Sequence, residues 1–289
     1  MSFAELKAFD AVARYGSFVK AAKELGRSQP TLTTQVAQLE KAYKTELIIR
    51  NRGKIRGLTP LGVQLHGITR SLVALEQDAT NLLRDAGNLN SGEVRIVATA
   101  PVMVIRLTKL FNSRHPNVDC HLTFGNSEKV LQRIINCEAD FGILGGAVDH
   151  SDCLAVPIAK PEIVLVGHKD HPAAESGLLD RKDFAKETLL IREPGSETRE
   201  LLLNKSEQHN YAPARLVEIG SRSGVLAAAR AGMGLAAVSE HEIEASEELS
   251  ILRLKSFRVF GVNHAVFLKN RSKTRLLQVL LECCENLAK

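Results

Sequence analysis

Two short apolar stretches, separated by a glycine and followed by a serine-capped third segment, constrain the start of this chain more than any other feature. Phe3, Leu6, Phe9, Val12 and Ala13 recur at three- and four-residue steps, which predicts a helix over 3–16. Gly16 stops it, and Ser17 is placed to cap a short second helix that buries Phe18, Ala21, Ala22 and Leu25. Gly26-Arg27 makes a tight turn. Ser28 is then the natural N-cap of a third helix reaching to about Tyr43, with Leu32, Val36 and Leu39 buried. Pro30 is tolerated there because the first turn of a helix has N–H groups without partners anyway. Short helix, glycine turn and capped helix make a helix-turn-helix pattern.

The outward face at the start of the third helix carries Gln29, Thr31, Thr33, Thr34, Gln35 and Gln38. These amide and hydroxyl side chains reach base edges without bringing negative charge: Gln pairs with adenine, and Thr offers a hydroxyl and a methyl. An ordinary solvated polar face is the competing reading, although surface helices more often carry Glu and Lys. In LIIRNRGKIRGLTPLG, cations fall at every second position (Arg50, Arg52, Lys54, Arg56), with Gly53 and Gly57 as bends. Alternate residues of an extended hairpin share a face, so this reads as a wing with four cations poised over phosphates, against the alternative of a charged loop. Up to Pro60 there are eleven Lys and Arg against five Asp and Glu, a net +6; the whole chain is +5, so the remainder sums to −1. A basic head on a near-neutral body suits a polyanionic partner.

Leu61, Leu65, Ile68, Leu72, Leu75, Ala79 and Leu82 step by four and three, an apolar heptad seam on one long helix from Pro60 to about Ala86. A seam that narrow favours a partner helix, and hence a dimer that reads two half-sites; a stripe packed on its own domain is the alternative. Gly87, Asn88, Asn90, Ser91 and Gly92 then read as a linker.

Beyond residue 93 strands alternate with helices, which implies a parallel α/β sheet that binds ligands at the carboxyl ends of its strands. Loops rich in small hydroxyls and glycine recur there: Thr99-Ala100, Gly125-Asn126-Ser127, Gly145-Gly146, Gly195-Ser196-Glu197-Thr198 and Ser221-Arg222-Ser223, with Ser196 capping the helix that follows. Each loop alone reads as helix capping; together they suggest a cleft for a small polar or anionic molecule, with Arg192, Arg199 and Arg222 adding charge. No nucleophile–base pair, P-loop, complete dinucleotide fingerprint or metal-ligand spacing is found, so neither an enzyme nor a cofactor is expected. Five scattered cysteines without a CxxC suggest free thiols in a reducing cytoplasm, buried as small hydrophobes rather than forming a redox pair. There is no apolar run long enough to span a membrane, and the amphipathic start is unlike a signal peptide.

The N-terminal residues Leu6, Phe9, Val12, Gly16, Ser17, Phe18, Ala21, Ala22, Leu25, Ser28, Gln29, Pro30, Thr33, Val36, Leu39, Glu40, Leu47, Arg50, Leu58, Thr59 and Gly62 resemble the DNA-binding end of LysR-type transcriptional regulators, and the layout is similar over essentially the full length. Lys44, Ile48 and Thr33 depart from that pattern, where Gly, Phe and Ser are usual. The resemblance implies an N-terminal winged helix-turn-helix (1–60), a long linker helix and hinge (61–92), and a two-subdomain α/β effector domain (93–289) like a periplasmic binding protein. Subdomain I would take 93–160 and 262–289, and subdomain II 161–261. It implies double-stranded DNA as partner, read by Ser28, Gln29, Pro30, Thr31, Thr33, Thr34, Gln35, Arg50, Arg52, Lys54 and Arg56. It also implies an effector contacted by Thr99, Ala100, Asn126, Ser127, Gly195, Ser196, Thr198 and Ser221, and a homodimer through the linker helix that often pairs into a tetramer. The stretches SQPTLTTQV, ITRSL, GNSEKVL and REPGSETR are similar to regulators of 2-aminoethylphosphonate catabolism within that family, with Glu128 or Glu197 to meet the amine. A small-molecule-binding module anchored non-specifically on DNA is the alternative.

Overall fold

In the computed structural model, which describes residues 1–51, 54–85, 92–243 and 248–287, the local signals of the first sixty residues become caps. Helix α1 (Phe3–Tyr15) opens on a reciprocal box: Ser2 Oγ accepts from the Glu5 N–H, and the Glu5 carboxylate accepts from the Ser2 N–H at 2.7 Å. It ends at Gly16, whose φ of 60° suits a residue without a side chain. Ser17 accepts from Lys20 N to start α2 (Phe18–Glu24), and Ser28 accepts from Thr31 N to start α3 (Gln29–Ala42). Phe9, Val12, Ala21, Leu32, Val36, Leu39 and Leu47 make the core of this three-helix body. A hairpin of β1 (Ile48–Asn51) and β2 (Lys54–Leu58) follows, then α4 (Pro60–Asp85).

Two contacts hold the hairpin to the helices. The buried Glu40 carboxylate accepts the N–H groups of Leu47 and Ile48 at 2.9 and 3.2 Å and pairs with Arg50 at 2.9 Å. At Gly62 in α4, a Cβ would lie 2.1 Å from the Leu47 carbonyl oxygen, so the helix approaches the backbone before β1 more closely than any side chain permits. Gly62→Ala is therefore expected to cost about 1–3 kcal/mol, read as a lower urea midpoint with unchanged slope. Lys44, which stands where the family pattern has glycine, adopts φ 50°, the left-handed region that glycine enters without strain.

The chain divides into two compact units, Met1–Ala86 and Gly87–Lys289. In the second, β3 (Gly92–Ala98), α5 (Pro101–Arg114), β4 (Val118–Phe124), α6 (Ser127–Ile135), β5 (Phe141–Gly145) and β6 (Cys153–Ala159) form the first part. The chain then crosses to β7 (Glu162–His168), β8 (Leu178–Leu179), α7 (Arg181–Phe184), β9 (Thr188–Ile191), α8 (Glu197–Gln208), β10 (Arg215–Glu218), α9 (Arg222–Arg230), β11 (Leu235–Ser239), β12 (Leu249–Leu254) and β13 (Val259–Phe260). It returns through β14 (Asn263–Leu268) and ends in α10 (Arg275–Leu287). Two sheets result, ordered β4-β3-β5-β14-β6 and β10-β9-β11-β7-β12-β8, with β13 beside β7. Phe111, Phe141, Phe267 and Leu280 centre one core; Phe184, Leu189, Leu235 and Leu252 centre the other.

The sheets are mixed, which corrects the expectation of a parallel sheet. β3, β4 and β5 run parallel through helical crossovers, but β14 is antiparallel to both β5 and β6, and β7 is antiparallel to β11 and β12. A strand that enters a sheet from the other subdomain needs no helical crossover and is free to run either way. Strand β6 escaped sequence reading because Pro157 interrupts it; at a sheet edge a missing N–H costs little. All five cysteines are free, and four are buried. Burial pushes the Cys284 thiol up to about 12, which makes it an inert packing group. Among the described residues no helix is long and apolar enough to cross a membrane, and no His/Cys/Asp/Glu group is arranged to hold a metal.

Candidate nucleic-acid interface and ligand cleft

Ser28 anchors the start of α3: its Oγ lies 2.7 Å from Thr31 Oγ1 and accepts from Thr31 N. Gln29, Pro30, Thr31, Thr33, Thr34 and Gln38 are exposed and Gln35 is half-buried, with no acidic residue in the first turn. Thr33 Oγ1 donates back to the Gln29 carbonyl at 3.0 Å, which directs its methyl outward. The wing differs from the sequence expectation. The hairpin pairs Arg50 with Ile55 and Asn51 with Lys54, so Arg50 lies on the face opposite Lys54; Arg56 is the extra residue of a bulge opposite Ile49-Arg50. Residues paired across an antiparallel hairpin share a face, and a two-residue turn therefore reverses the alternation. Arg50 instead pairs with Glu40 and lies over the Phe18 ring at 5.7 Å. Lys54 and Arg56 are exposed; Arg52 and Gly53 lie outside the described residues.

On α4, Leu61, Ile68, Leu72 and Leu75 are 49%, 59%, 39% and 39% exposed. The opposite side of α4 packs on α1 through a polar cluster that sequence reading missed: Thr69 Oγ1 donates to Asp10 at 3.3 Å, Arg14 pairs with Asp10 at 2.7 Å, and Arg70 Nε donates to His66 Nε2 at 3.1 Å. Burial lowers the His66 imidazole to about 4, so it is neutral at physiological pH.

In the second unit the two subdomain crossings lie side by side, joined by Gly261 N–H to Pro161 O at 3.0 Å and Gly146 N–H to Val262 O at 3.1 Å. Beside them lie two pockets that share lining residues. A small inner cavity of about 20 Å³ is lined by Thr99, Ala100, Asn126, Ser127, Ser196, Glu197, Thr198, Arg192, Arg222, Ser239 and Asn263, among others. An outer chamber of about 530 Å³ shares Thr99, Asn126, Arg192 and Arg222 and adds Lys129 and Ser221. Of the residues singled out from sequence, Gly195 lies just behind this lining, at φ 81°, where a Cβ would meet Glu128 at 2.8 Å. Asn126 caps α6 through Lys129 N, and Ser221 caps α9 through Gly224 N. Ser196 stands at the α8 N-cap but is buried and makes no side-chain cap bond, contrary to the sequence expectation. Arg199 also departs from expectation: it donates to the Arg192 carbonyl and pairs with Glu218, so its charge is spent outside the cleft.

Three carboxylates shape the cleft, and no local pattern pointed to the roles of Glu242 and Glu193. Glu242 accepts from Val102 N at 3.1 Å and Met103 N at 3.4 Å, occupying the α5 N-terminus, and lies 2.9 Å from Arg222. Arg192 grips Glu193 through two contacts of 2.7 Å, holding the Glu193 carboxyl down at about 2. Glu197 has no such cation. Burial pushes it up to about 7, against the N–H groups of Val262 and Gly146 that favour its ionised form.

A model described as the bacterial regulatory helix-turn-helix protein of the lysR family matches residues 3–63, and one described as the LysR substrate binding domain matches residues 87–289. The chain belongs to the LysR family. It is a DNA-binding transcriptional regulator with an effector-binding domain, not an enzyme. Relatives of this LysR-type regulator include the transcriptional regulator CbbR of Rhodospirillum rubrum, 33% identical over 260 residues covering 89% of this chain and 85% of CbbR. CfxR of Cupriavidus necator is 31% identical over 245 residues, covering 84% of this chain and 77% of CfxR. In fold the LysR chain resembles full-length OxyR of Pseudomonas aeruginosa (TM-score 0.81, 18% identity, 98% and 94% covered) and CbnR complexed with its target DNA (TM-score 0.69, 22% identity, 100% of both covered). The regulatory domain of Synechocystis CcmR in complex with 2-PG matches at 25% identity and TM-score 0.62, over 69% of this chain and 98% of that domain.

Proposed function

We propose that this LysR-type regulator reads double-stranded DNA through α3 and the β1–β2 wing, dimerises through α4, and responds to a small anionic effector held in the cleft. The domain limits proposed are 1–60 for the DNA-binding head, 61–92 for linker and hinge, and 93–289 for the effector domain, with subdomain II at 161–261. The observation that carries the DNA assignment is the Ser28-capped start of α3, which exposes amide and hydroxyl side chains free of acidic neighbours. Lys54, Arg56 and, outside the described residues, Arg52 would contact phosphates; Arg50 would act indirectly, by steadying the wing through Glu40. The exposed Leu61, Ile68, Leu72 and Leu75 support a homodimer, and pairing of dimers into a tetramer follows the family pattern. Closure of the cleft on its effector would change the relative placement of paired heads and so operator bending.

Thr99, Ala100, Asn126, Ser127, Gly195, Ser196, Thr198 and Ser221 are proposed to surround the effector, with Arg192 and Arg222 supplying charge. 2-Aminoethylphosphonate is the candidate to test first: its acid group suits Lys129 and the hydroxyls of the outer chamber. The CcmR regulatory domain, similar in fold, forms a complex with 2-PG, which supports a compact ligand for a domain of this kind. A regulator of this kind works in the cytoplasm, where its operator is.

Fluorescence anisotropy on DNA flanking the chain's own coding region tests the assignment. Gln29→Ala is expected to lose about 1–3 kcal/mol on the specific fragment and nothing on scrambled DNA. Lys54→Ala is expected to weaken both and to reduce the salt slope by about one. Equal losses on both fragments for Gln29→Ala would leave only non-specific anchoring, and the base-reading role would be abandoned.

A further inference from the structure

The inner cavity brings together the Glu197 carboxylate, the Asn263 amide oxygen and the Ser239 hydroxyl. Glu197, at the first turn of α8, lies over a floor of three glycines. A Cβ on Gly145 would lie 1.7 Å from Glu197 Oε2, one on Gly146 3.5 Å from its Cγ, and one on Gly261 3.4 Å from its Oε1. Its carboxylate accepts the N–H groups of Gly146 and Val262 and has no cationic partner among the described residues. Asn263 Oδ1 crowds the same point, 3.4 Å from the Gly145 Cβ position, while the Asn263 amide nitrogen is turned toward Met103 Sδ at 3.8 Å. Ser239, 8% exposed and lining the same cavity, has no hydrogen-bond partner for its Oγ among the described residues. Of the cations that share the lining, Arg192 is held by Glu193; Arg222 lies 2.9 Å from Glu242, although its Nη1 makes no aligned hydrogen bond among the described residues, and Lys129 lines only the outer chamber. Of the remaining acids nearby, Glu128 on α6 is exposed and faces Gly195.

Glu197 is half-buried; a carboxylate that loses much of its water without gaining a counter-charge is costly, and the group responds by holding a proton. Burial here wins over the two N–H bonds, which places the Glu197 carboxyl at about 7. The inner cavity, at about 20 Å³, has room for one non-hydrogen atom, as a single water needs about 10–15 Å³ by the same measure. An ammonium group is of that size, carries the missing charge, and has three N–H donors for three acceptors. The outer chamber shares Thr99, Asn126, Arg192 and Arg222 with the inner one; it adds Lys129 and the hydroxyls of Ser221 and Ser223, beside Glu193 and Glu242, which face the two arginines.

We infer that Glu197, with Ser239 and Asn263, selects effectors that carry an ammonium group, which enters the inner cavity while the acid group stays in the outer chamber. This rests on the reading above that the cleft holds the effector, and it commits the effector to a short zwitterion. Binding converts protonated Glu197 to the carboxylate, which pairs with the ammonium and gives its proton to solvent. Affinity therefore rises as pH rises through neutrality.

Three matched pairs of probes test this by calorimetry on the full-length protein: 2-aminoethylphosphonate and ethylphosphonate, taurine and ethanesulfonate, β-alanine and propionate. In at least one pair the amine-bearing member is expected to bind about thirtyfold more tightly at about pH 8, the loss typical when one partner of a buried charge pair is missing. Titration near neutrality in buffers of different ionisation heat is expected to show proton release, absent in Glu197→Gln, where the gap within the pair also closes. Folding of Glu197→Gln is checked by a control that needs no ligand. Because the folded-state value is raised, the stability that Glu197 contributes is full below its ordinary value and lost as pH rises through about 7. The variant should therefore melt higher than the parent at about pH 8 and alike at about pH 5. Equal affinity within every pair, no binding by any of the six, or a gap unchanged in Glu197→Gln overturns the selection. Thr99→Trp, which fills the outer chamber, separates the two readings: binding that survives it places the ligand elsewhere and sinks the cleft itself.

Discussion

Replacing Asp140 by alanine is expected to cost about 3–5 kcal/mol of stability, the penalty for stripping one partner from a buried ion pair. Asp140 accepts from Arg95 N at 2.8 Å and from the Arg95 guanidinium at 3.1 and 2.9 Å, and it accepts from Arg271 at 2.7 Å. The Arg271 side chain is only 5% exposed, so its charge has no water to turn to once the carboxylate is gone. The pair ties β3, β5 and the segment after β14 together, 131 residues apart in sequence. Burial alone would raise the Asp140 carboxyl, but Arg95 and Arg271 hold it below its ordinary value. The stability it contributes is therefore present above the usual aspartate range and lost as pH falls through its lower folded value. Thermal unfolding of Asp140→Ala at neutral pH should show a midpoint lower by about 10 °C. A change of only one or two degrees would mean that solvent reaches Arg271 and that the cluster contributes little.

The second large effect is expected at Glu40→Ala, at about 3 kcal/mol, because two backbone N–H groups are left buried and unpaired. The carboxylate receives Leu47 and Ile48 N–H and the Arg50 guanidinium at once, so it determines where the wing leaves the body of the head. Arg50→Ala removes only the ion pair. With Arg50 40% exposed, that loss should be about 1 kcal/mol or less. The ordering is the test: hydrogen exchange at the Leu47 and Ile48 amides should accelerate strongly in Glu40→Ala and weakly in Arg50→Ala. Similar exchange in both variants would show that the amides are protected by something other than Glu40.

Much of the head was legible because its signals are local. A serine three residues before an N–H, a glycine with positive φ and an apolar residue every third or fourth position act within one turn of chain, and each led to a cap, a stop or a buried face. The wing was misread for a reason of the same scale. Alternation along a strand was carried through the turn, whereas pairing across the hairpin reverses it and Arg56 falls in a bulge opposite Ile49-Arg50. Strand β6 was missed because Pro157 breaks the apolar pattern that marks a strand, a break that an edge position tolerates.

The ligand cleft was legible as a set of strand-end loops but not as chemistry. That Thr99, Asn126, Ser127, Ser196 and Thr198 line one cavity follows from the rule that α/β sheets present their loops at one end. Periodicity, capping and charge counting thus determined the helix-turn-helix head, the exposed seam on α4 and the alternation of strands and helices. Only the tertiary structure decided what the carboxylates do: Glu242 holds the α5 N-terminus 140 residues away, Asp140 bridges two arginines, Glu40 secures the wing, and Glu197 lies against glycines from two other segments. The charge state and partners of a carboxylate depend on how much water it loses and which distant groups approach it, and neither is written in the residues beside it.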